Sequence, residues 1–388
     1  MPFSGLSVIT YNIPMAEFLY IHIPYCIKKC IYCDFLSLPF DEQSAKGYVD
    51  SLCRELEIRR AAAGTLKTIF IGGGTPTVLP DDCFRQLFHC LRENFELSPE
   101  IEISVEANPG TLSAAKIENL LTLGVNRMSI GIQSFHDGEL KTLGRIHTSE
   151  EALVSVRLLL TAGLTNISVD LMYGIPGQTI GTWEETLEKA AGLSPRHMSS
   201  YELTPEKGTP LSRLINKTVL TMPEEGLILD MYALAIDFLQ DRGYEHYEIS
   251  NFALPGFRCR HNLNYWERGE YIGAGLGAHS FLQGVRSSNT SDINTYIERL
   301  ADDIIPGAEA IEISPEEAVK EFIFLGLRKT EGISLREAKT MRPDFLDACT
   351  ELIDSGNLVI TNNHLRLTRK GLPLSNMVIV RLFESLGL

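Results

Sequence analysis

Apolar runs bounded by turn residues recur along the first half of the chain. They predict six strands: FLYIHI at 18–23, KTIFIG at 67–72, IEISVEA at 101–107, RMSIGIQ at 127–133, NISVDLMY at 166–173 and HMSSYEL at 197–203. Between successive strands lie SAKGYVDSLCRELEIRRAA, DDCFRQLFHCLRENF, SAAKIENLLTLG and SEEALVSVRLLLTAG, whose apolar residues fall at helical spacing, several with Ser or Asp where an N-cap belongs. Such alternation implies parallel strands joined by right-handed crossovers, so the fold class is α/β, as a doubly wound sheet or a barrel. In both, the site sits beyond the strand ends, and there the sequence places Cys26 to Cys33, Gly72-Gly73-Gly74-Thr75-Pro76, Glu106, Gln133, Asp170 and Glu202.

After residue 204 the pattern loses its regularity. TPEKGTPLSRL is followed by a helical run around 224–241 and then by NFALPGFRCRHNLNYWERGEYIGAGLGAHSF, which reads as a loop-rich completion of the first unit. From about 314 the text changes again: a helix in SPEEAVKEFIFLGLRK, another in DFLDACTELIDSG, a hairpin NLVIT-NN-HLRLT and a last helix. Helices followed by a hairpin resemble a winged helix. No internal repeat or low-complexity segment is visible.

Composition narrows the function classes. With 388 residues, 44% hydrophobic and 22% charged, the chain has the material for one large domain with a smaller one attached. A formal charge of −15 argues against nucleic-acid binding, which needs a basic footprint, and makes the winged-helix-like unit a weaker candidate for DNA than for protein contact. No segment approaches the roughly 20 apolar residues that span a bilayer, and the first residues lack a signal-peptide pattern, so the expectation is a cytoplasmic protein without a transmembrane segment.

Of the eight cysteines, Cys53, Cys83, Cys90, Cys259 and Cys349 show no repeated spacing and read as inert thiols. Cys26, Cys30 and Cys33 fall together in HIPYCIKKCIYCDF. Their Cys-x3-Cys-x2-Cys spacing lets them converge if the backbone wraps around a common centre, which suits a metal. Three thiolates leave one iron of a cubane without a protein ligand, open to chelation by a small molecule. Zinc on the three thiolates and His22 is the alternative; the place of His22 within a predicted strand counts against it.

The cysteine loop after a first strand and IGGGTPT after a second together resemble the radical S-adenosylmethionine (SAM) superfamily. Within it the chain is similar to the oxygen-independent coproporphyrinogen oxidase-like group from about Leu19 onward, through SVEANP, SIGIQSF, LGRIH and DLMYGIPGQT. The resemblance implies an open (β/α)6 barrel with a C-terminal extension, a 4Fe–4S cluster on Cys26, Cys30 and Cys33, and SAM held against it. The implied layout is an N-terminal segment at 1–17, a barrel with a loop-rich extension at 18–313 and a winged-helix-like domain at 314–388. Around SAM it implies Tyr20 beside the cofactor, Tyr32 at the adenine, and Glu106, Gln133, Arg145 and Asp170 at its polar groups. Gly73 and Gly74 would admit a ligand where a β-carbon collides, with Thr75 adding a hydroxyl. Arg145 is reached through the resemblance alone, whereas a polar side chain at the end of an apolar strand, as at Glu106, Gln133 and Asp170, needs a partner in any case.

Two features bear on activity. The group's oxidases carry a further cysteine two residues past the third, where this chain has Phe35. His261-Asn262-Leu263-Asn264-Tyr265-Trp266 resembles the HNxxYW motif of heme chaperones in the group. Imidazole is a common axial heme ligand, and Tyr265 and Trp266 offer flat apolar faces to a porphyrin. The resemblance therefore implies heme binding and delivery to apo-hemoproteins, with a homodimer as one possible form. The other reading is a radical SAM enzyme acting on a tetrapyrrole, such as coproporphyrinogen III.

Overall fold

The structure, a computed structural model, describes residues 15–388. Six strands and their crossover helices alternate in chain order: β1 (Ala16–Ile23), α1 (Glu42–Arg59), β2 (Ala63–Gly73), α2 (Asp81–Asn94), β3 (Leu97–Ala107), α3 (Ala114–Thr122), β4 (Arg127–Gln133), α4 (Ser149–Thr161), β5 (Ile167–Tyr173), α5 (Ile180–Gly192) and β6 (His197–Glu202). All are parallel to their neighbours. The chain continues through α6 (Glu225–Gln240), β7 (Glu245–Glu248), β8 (Asn251–Ala253), α7 (Arg260–Trp266) and β9 (Ile272–Ala274), giving a nine-stranded sheet ordered β9-β1-β2-β3-β4-β5-β6-β8-β7. Its two end strands do not pair with each other, so the barrel is open. Yet Tyr20 of β1 and Tyr201 of β6 line one interior cavity, so the sheet curls around it. The first 14 residues of the N-terminal segment expected at 1–17 lie outside the described residues, and Ala16 and Glu17 begin β1.

Local chemistry sets these boundaries. Asp41 accepts the Ser44 N–H at 2.8 Å to start α1, and Thr148 with Glu151 forms a capping box at α4. β5 buries six of its seven side chains, as a strand covered on both faces must. The hairpin at Leu358–Thr361 and His364–Leu367 turns on Asn362 and Asn363, whose φ values of 51° and 61° fit the left-handed pair that a two-residue turn requires.

Two parts of the loop-rich stretch prove regular. HNLNYW lies on α7, and IGA of YIGAGLGAHS pairs in parallel with β1 as β9. A three-residue strand inside a glycine-rich run has no periodicity of its own; only the open edge of β1 makes it a strand. No described helix is long and apolar enough to cross a membrane.

That edge is fastened by Glu55 of α1, whose side chain is fully buried. It pairs with Arg59 at 2.6 Å and accepts hydrogen bonds from Gly275 N–H at 2.8 Å, Asn289 Nδ2 at 2.7 Å and the Tyr296 hydroxyl at 2.7 Å. A carboxylate so completely satisfied ties the first crossover helix to chain more than 200 residues later. Glu55→Ala leaves Arg59 and three donors without their acceptor, so a loss of about 3–5 kcal/mol is expected in urea unfolding; a loss below about 1 kcal/mol would show that this network does not hold the edge.

Candidate functional site

Parallel register brings the two signature loops together. Ile23 pairs with Gly73, and beyond the strand ends Gly74 N–H donates to Ile23 O at 2.8 Å and Thr75 N–H to Tyr25 O at 2.7 Å. The cysteine loop is thereby laid against the glycine run. Gly73 has φ +112°, and a β-carbon there would meet the His22 ring at 2.5 Å; at Gly74 it would meet Tyr25 O at 2.6 Å. The crowding that demands glycine comes from the protein itself, not from the space where a ligand would sit.

Cys26, Cys30 and Cys33 are half-buried, and all line a cavity of about 430 Å³ at the strand ends. A directed chain of donors ends on two of these sulfurs. Arg145 reaches Cys30 Sγ at 3.4 Å through Nη1 and Asn108 Oδ1 at 2.8 Å through Nη2, while also donating to Gly131 O. Asn108 Nδ2 donates to Thr75 Oγ1 at 2.9 Å, and that hydroxyl donates to Cys26 Sγ at 3.6 Å. Donors aimed at sulfur stabilise thiolate or cluster sulfur. Asn108 escaped the sequence reading, although an Asn just past a strand end in SVEANP is a signal that could have found it.

His22 lies apart from the thiols. Its Nε2 meets Leu36 O at 2.9 Å and its Nδ1 meets the Tyr20 hydroxyl at 2.9 Å, so both ring nitrogens are engaged elsewhere. Among the described residues no three His, Cys, Asp or Glu side chains gather as a single-ion site. With both nitrogens so engaged, His22 is not placed as a fourth ligand beside the thiols.

Tyr32, Glu106, Gln133, Arg145 and Asp170 all face the large cavity. Gln133 ends β4 with φ 70°, a left-handed conformation that costs a non-glycine residue energy and clusters at functional sites. Asp170 accepts hydrogen bonds from Ser129 and Ser199 at 2.7 Å each and from Ser168 at 3.2 Å. Burial raises its pKa, and the three hydroxyls oppose that rise. Glu106 has fewer donors: Gly73 N–H at 3.0 Å is its hydrogen bond, and burial, with the nearby Asp170 charge, pushes it up to about 7. Tyr20 does not face this cavity; it lines a second one of about 210 Å³ inside the barrel. Glu106, Ser129, Asp170 and Tyr201 border both.

The HNLNYW residues divide between two environments. His261 is 1% exposed, stacks on Phe70 with centroids 5.3 Å apart, and has both nitrogens engaged: Nδ1 with Thr68 Oγ1 at 2.7 Å and Nε2 with the Tyr265 hydroxyl at 2.8 Å. Burial lowers its pKa to about 3, so the ring is neutral. Trp266 instead faces an outer cleft, under the Arg328 guanidinium 4.7 Å from its ring. Phe35 is 63% exposed at the mouth of the large cavity.

Comparison with known proteins gives the family and the fold. Residues 20–190 match the radical SAM superfamily, and residues 313–374 match the HemN C-terminal domain. The heme chaperone HemW of Bacillus subtilis (strain 168) is 36% identical over 92% of this chain and 97% of its own length. The chain belongs to the HemW family. Heme chaperone HemW of Escherichia coli (strain K12) is 41% identical over 67% of this chain and 69% of its own. The HemW-family chain also shares its fold with coproporphyrinogen III oxidase (HemN) from Escherichia coli, a radical SAM enzyme, at a TM-score of 0.81 over 95% of this chain and 90% of that one, with 22% identity.

The Glu106 environment yields a test of its own. Because its folded pKa of about 7 lies above the ordinary 4.5, its contribution to stability is complete below pH 4.5 and is lost as pH rises through about 7. Glu106→Gln should remove that decline between pH 4.5 and 7 in urea midpoints. Parallel pH curves for the two proteins would mean that Glu106 titrates normally.

Proposed function

We propose that this chain binds heme and delivers it to apo-hemoproteins in the cytoplasm. We further propose that Cys26, Cys30 and Cys33 hold a 4Fe–4S cluster with SAM bound beside it. The carrying observation is the donor chain from Arg145 through Asn108 and Thr75, which ends on Cys26 and Cys30. Hydrogen bonds of this kind suit anionic sulfur beside an open cavity. The donor set therefore fits a cluster. When bound, the cluster supplies an open iron position and a transferable electron.

The protein's own groups divide the remaining tasks. Asp170 and Glu106 offer acceptors to the ribose and amino groups of SAM, Tyr32 an aromatic wall for the adenine, and Arg145 fixed positive charge beside the sulfurs. Gln133 is held at the same rim by its strained backbone. Tyr20 lines the inner cavity beside Glu106 and is hydrogen-bonded to His22.

Heme enters through the relatives' names and the HNLNYW helix. His261 as an axial ligand requires that its Nε2 leave the Tyr265 hydroxyl. Hemin titration of the reconstituted protein, followed in the visible region, should show stoichiometric binding that His261→Ala weakens about tenfold or more. Tyr265→Phe, which frees Nε2 and keeps the aromatic face, should bind hemin at least as well as wild type. Equal affinity in all three proteins would remove His261 from the heme site.

A reading as a radical enzyme draws on the same cavity, lined by Tyr32, Glu106, Gln133, Arg145 and Asp170. Anaerobic incubation with coproporphyrinogen III separates the two. No protoporphyrinogen IX is expected from protein with an intact cluster, and its formation would replace the chaperone reading. A homodimer is part of the proposal and is checked by gel filtration with and without the cluster.

A further inference from the structure

Outside the barrel, α7 and the chain that follows it build a second aromatic environment. A cleft of about 410 Å³ opens between them and the helix at Pro315–Gly326. Its apolar walls are Trp266, Tyr271, Phe281 and Phe324, the last 40% exposed. Arg268 and Arg286 both lie over the Phe281 ring, at 4.8 and 5.0 Å from its centroid. Glu321 holds these guanidiniums side by side, at 2.7 Å from Arg268 and 2.8 Å from Arg286. Two cations share one anion, so the cleft keeps an excess positive charge within aromatic walls. Trp266 Nε1 is buried there without a hydrogen-bond partner.

Flat apolar walls with a cationic edge suit a planar, largely apolar molecule that carries carboxylates on one side. A scattered cation would hold any anion. Two guanidiniums fixed by one carboxylate instead present a pair of donors at a set separation, as a dicarboxylate needs. Resting on the heme reading above, we propose that this cleft is where heme docks, its ring against Trp266 and Phe324 and its propionates on Arg268 and Arg286.

The position of Tyr265 links the cleft to His261. Tyr265 borders both the cleft and the inner cavity, packs edge-on against Tyr271 with centroids 4.7 Å apart, and holds His261 Nε2 through its hydroxyl. It is the shutter between the two spaces. Movement of this ring exposes the imidazole to the cleft without unfolding the barrel floor. Heme in the cleft is therefore held by its edge before any iron ligand is supplied, and its exposed side stays available for transfer.

Binding of hemin and of hemin dimethyl ester to the full chain tests this assignment. Arg268→Ala/Arg286→Ala should weaken hemin about tenfold or more and leave the ester unchanged, while Arg268→Lys/Arg286→Lys should recover part of the loss. Phe324→Glu, at an exposed position that need not disturb folding, should weaken both ligands. Hemin bound by wild type with unchanged affinity in both the Ala pair and Phe324→Glu would overturn the cleft and leave the heme reading standing. Failure of wild type to bind hemin would overturn both. Circular dichroism melting curves establish that each variant is folded.

Discussion

Parallel pairing of β1 with β2 is the constraint on which the site depends. With Ile23 opposite Gly73, the loop that leaves β1 has nowhere to run except across the glycine turn that leaves β2. The two backbones then hydrogen-bond directly, and the approach is so close that a side chain at Gly73 or Gly74 would strike His22 or Tyr25. Three cysteines spaced along one loop become three thiols beside one cavity because that contact, with backbone hydrogen bonds joining Ile31 to Leu143 and Leu211, fixes the loop's course.

Around this contact the protein places charge with different degrees of support. Cys26 and Cys30 receive donors from a chain that begins at the Arg145 guanidinium, while burial raises the Cys26 and Cys33 thiols and the Thr75 hydroxyl opposes that rise at Cys26. Asp170 sits among three serine hydroxyls, whereas Glu106, a short distance away, has a single backbone donor and a raised pKa. Two carboxyls on β3 and β5, the strands either side of β4, are thus both pushed up by burial but opposed by different numbers of donors. Both border the inner cavity as well, so their state is felt on both sides of that partition.

A second partition lies at the other end of the interior. On the short helix Arg260–Trp266, His261 and Tyr265 are one turn apart and share a hydrogen bond, while Trp266 turns toward the outer cleft. Six consecutive residues therefore line the barrel interior on one side and an aromatic, arginine-bearing cleft on the other. One short motif thus holds a buried neutral imidazole and still presents an aromatic face outside.

The sequence alone determined the parallel α/β alternation, because buried strands and amphipathic helices have periods that can be read without a partner. It also determined the cysteine loop, the glycine turn and the family, since these are local patterns. It did not reveal β9, whose three residues become a strand only at the open edge of β1, or Asn108, whose importance lies in bonds to Thr75 and Arg145. Nor could it tell that His261 has both nitrogens engaged, that Tyr20 stands below the cavity rather than in it, or that Arg268, Arg286 and Glu321 meet across Phe281. Those facts depend on side chains brought together from distant parts of the chain, and hydrogen bonding and burial are properties of that assembly, not of any segment by itself.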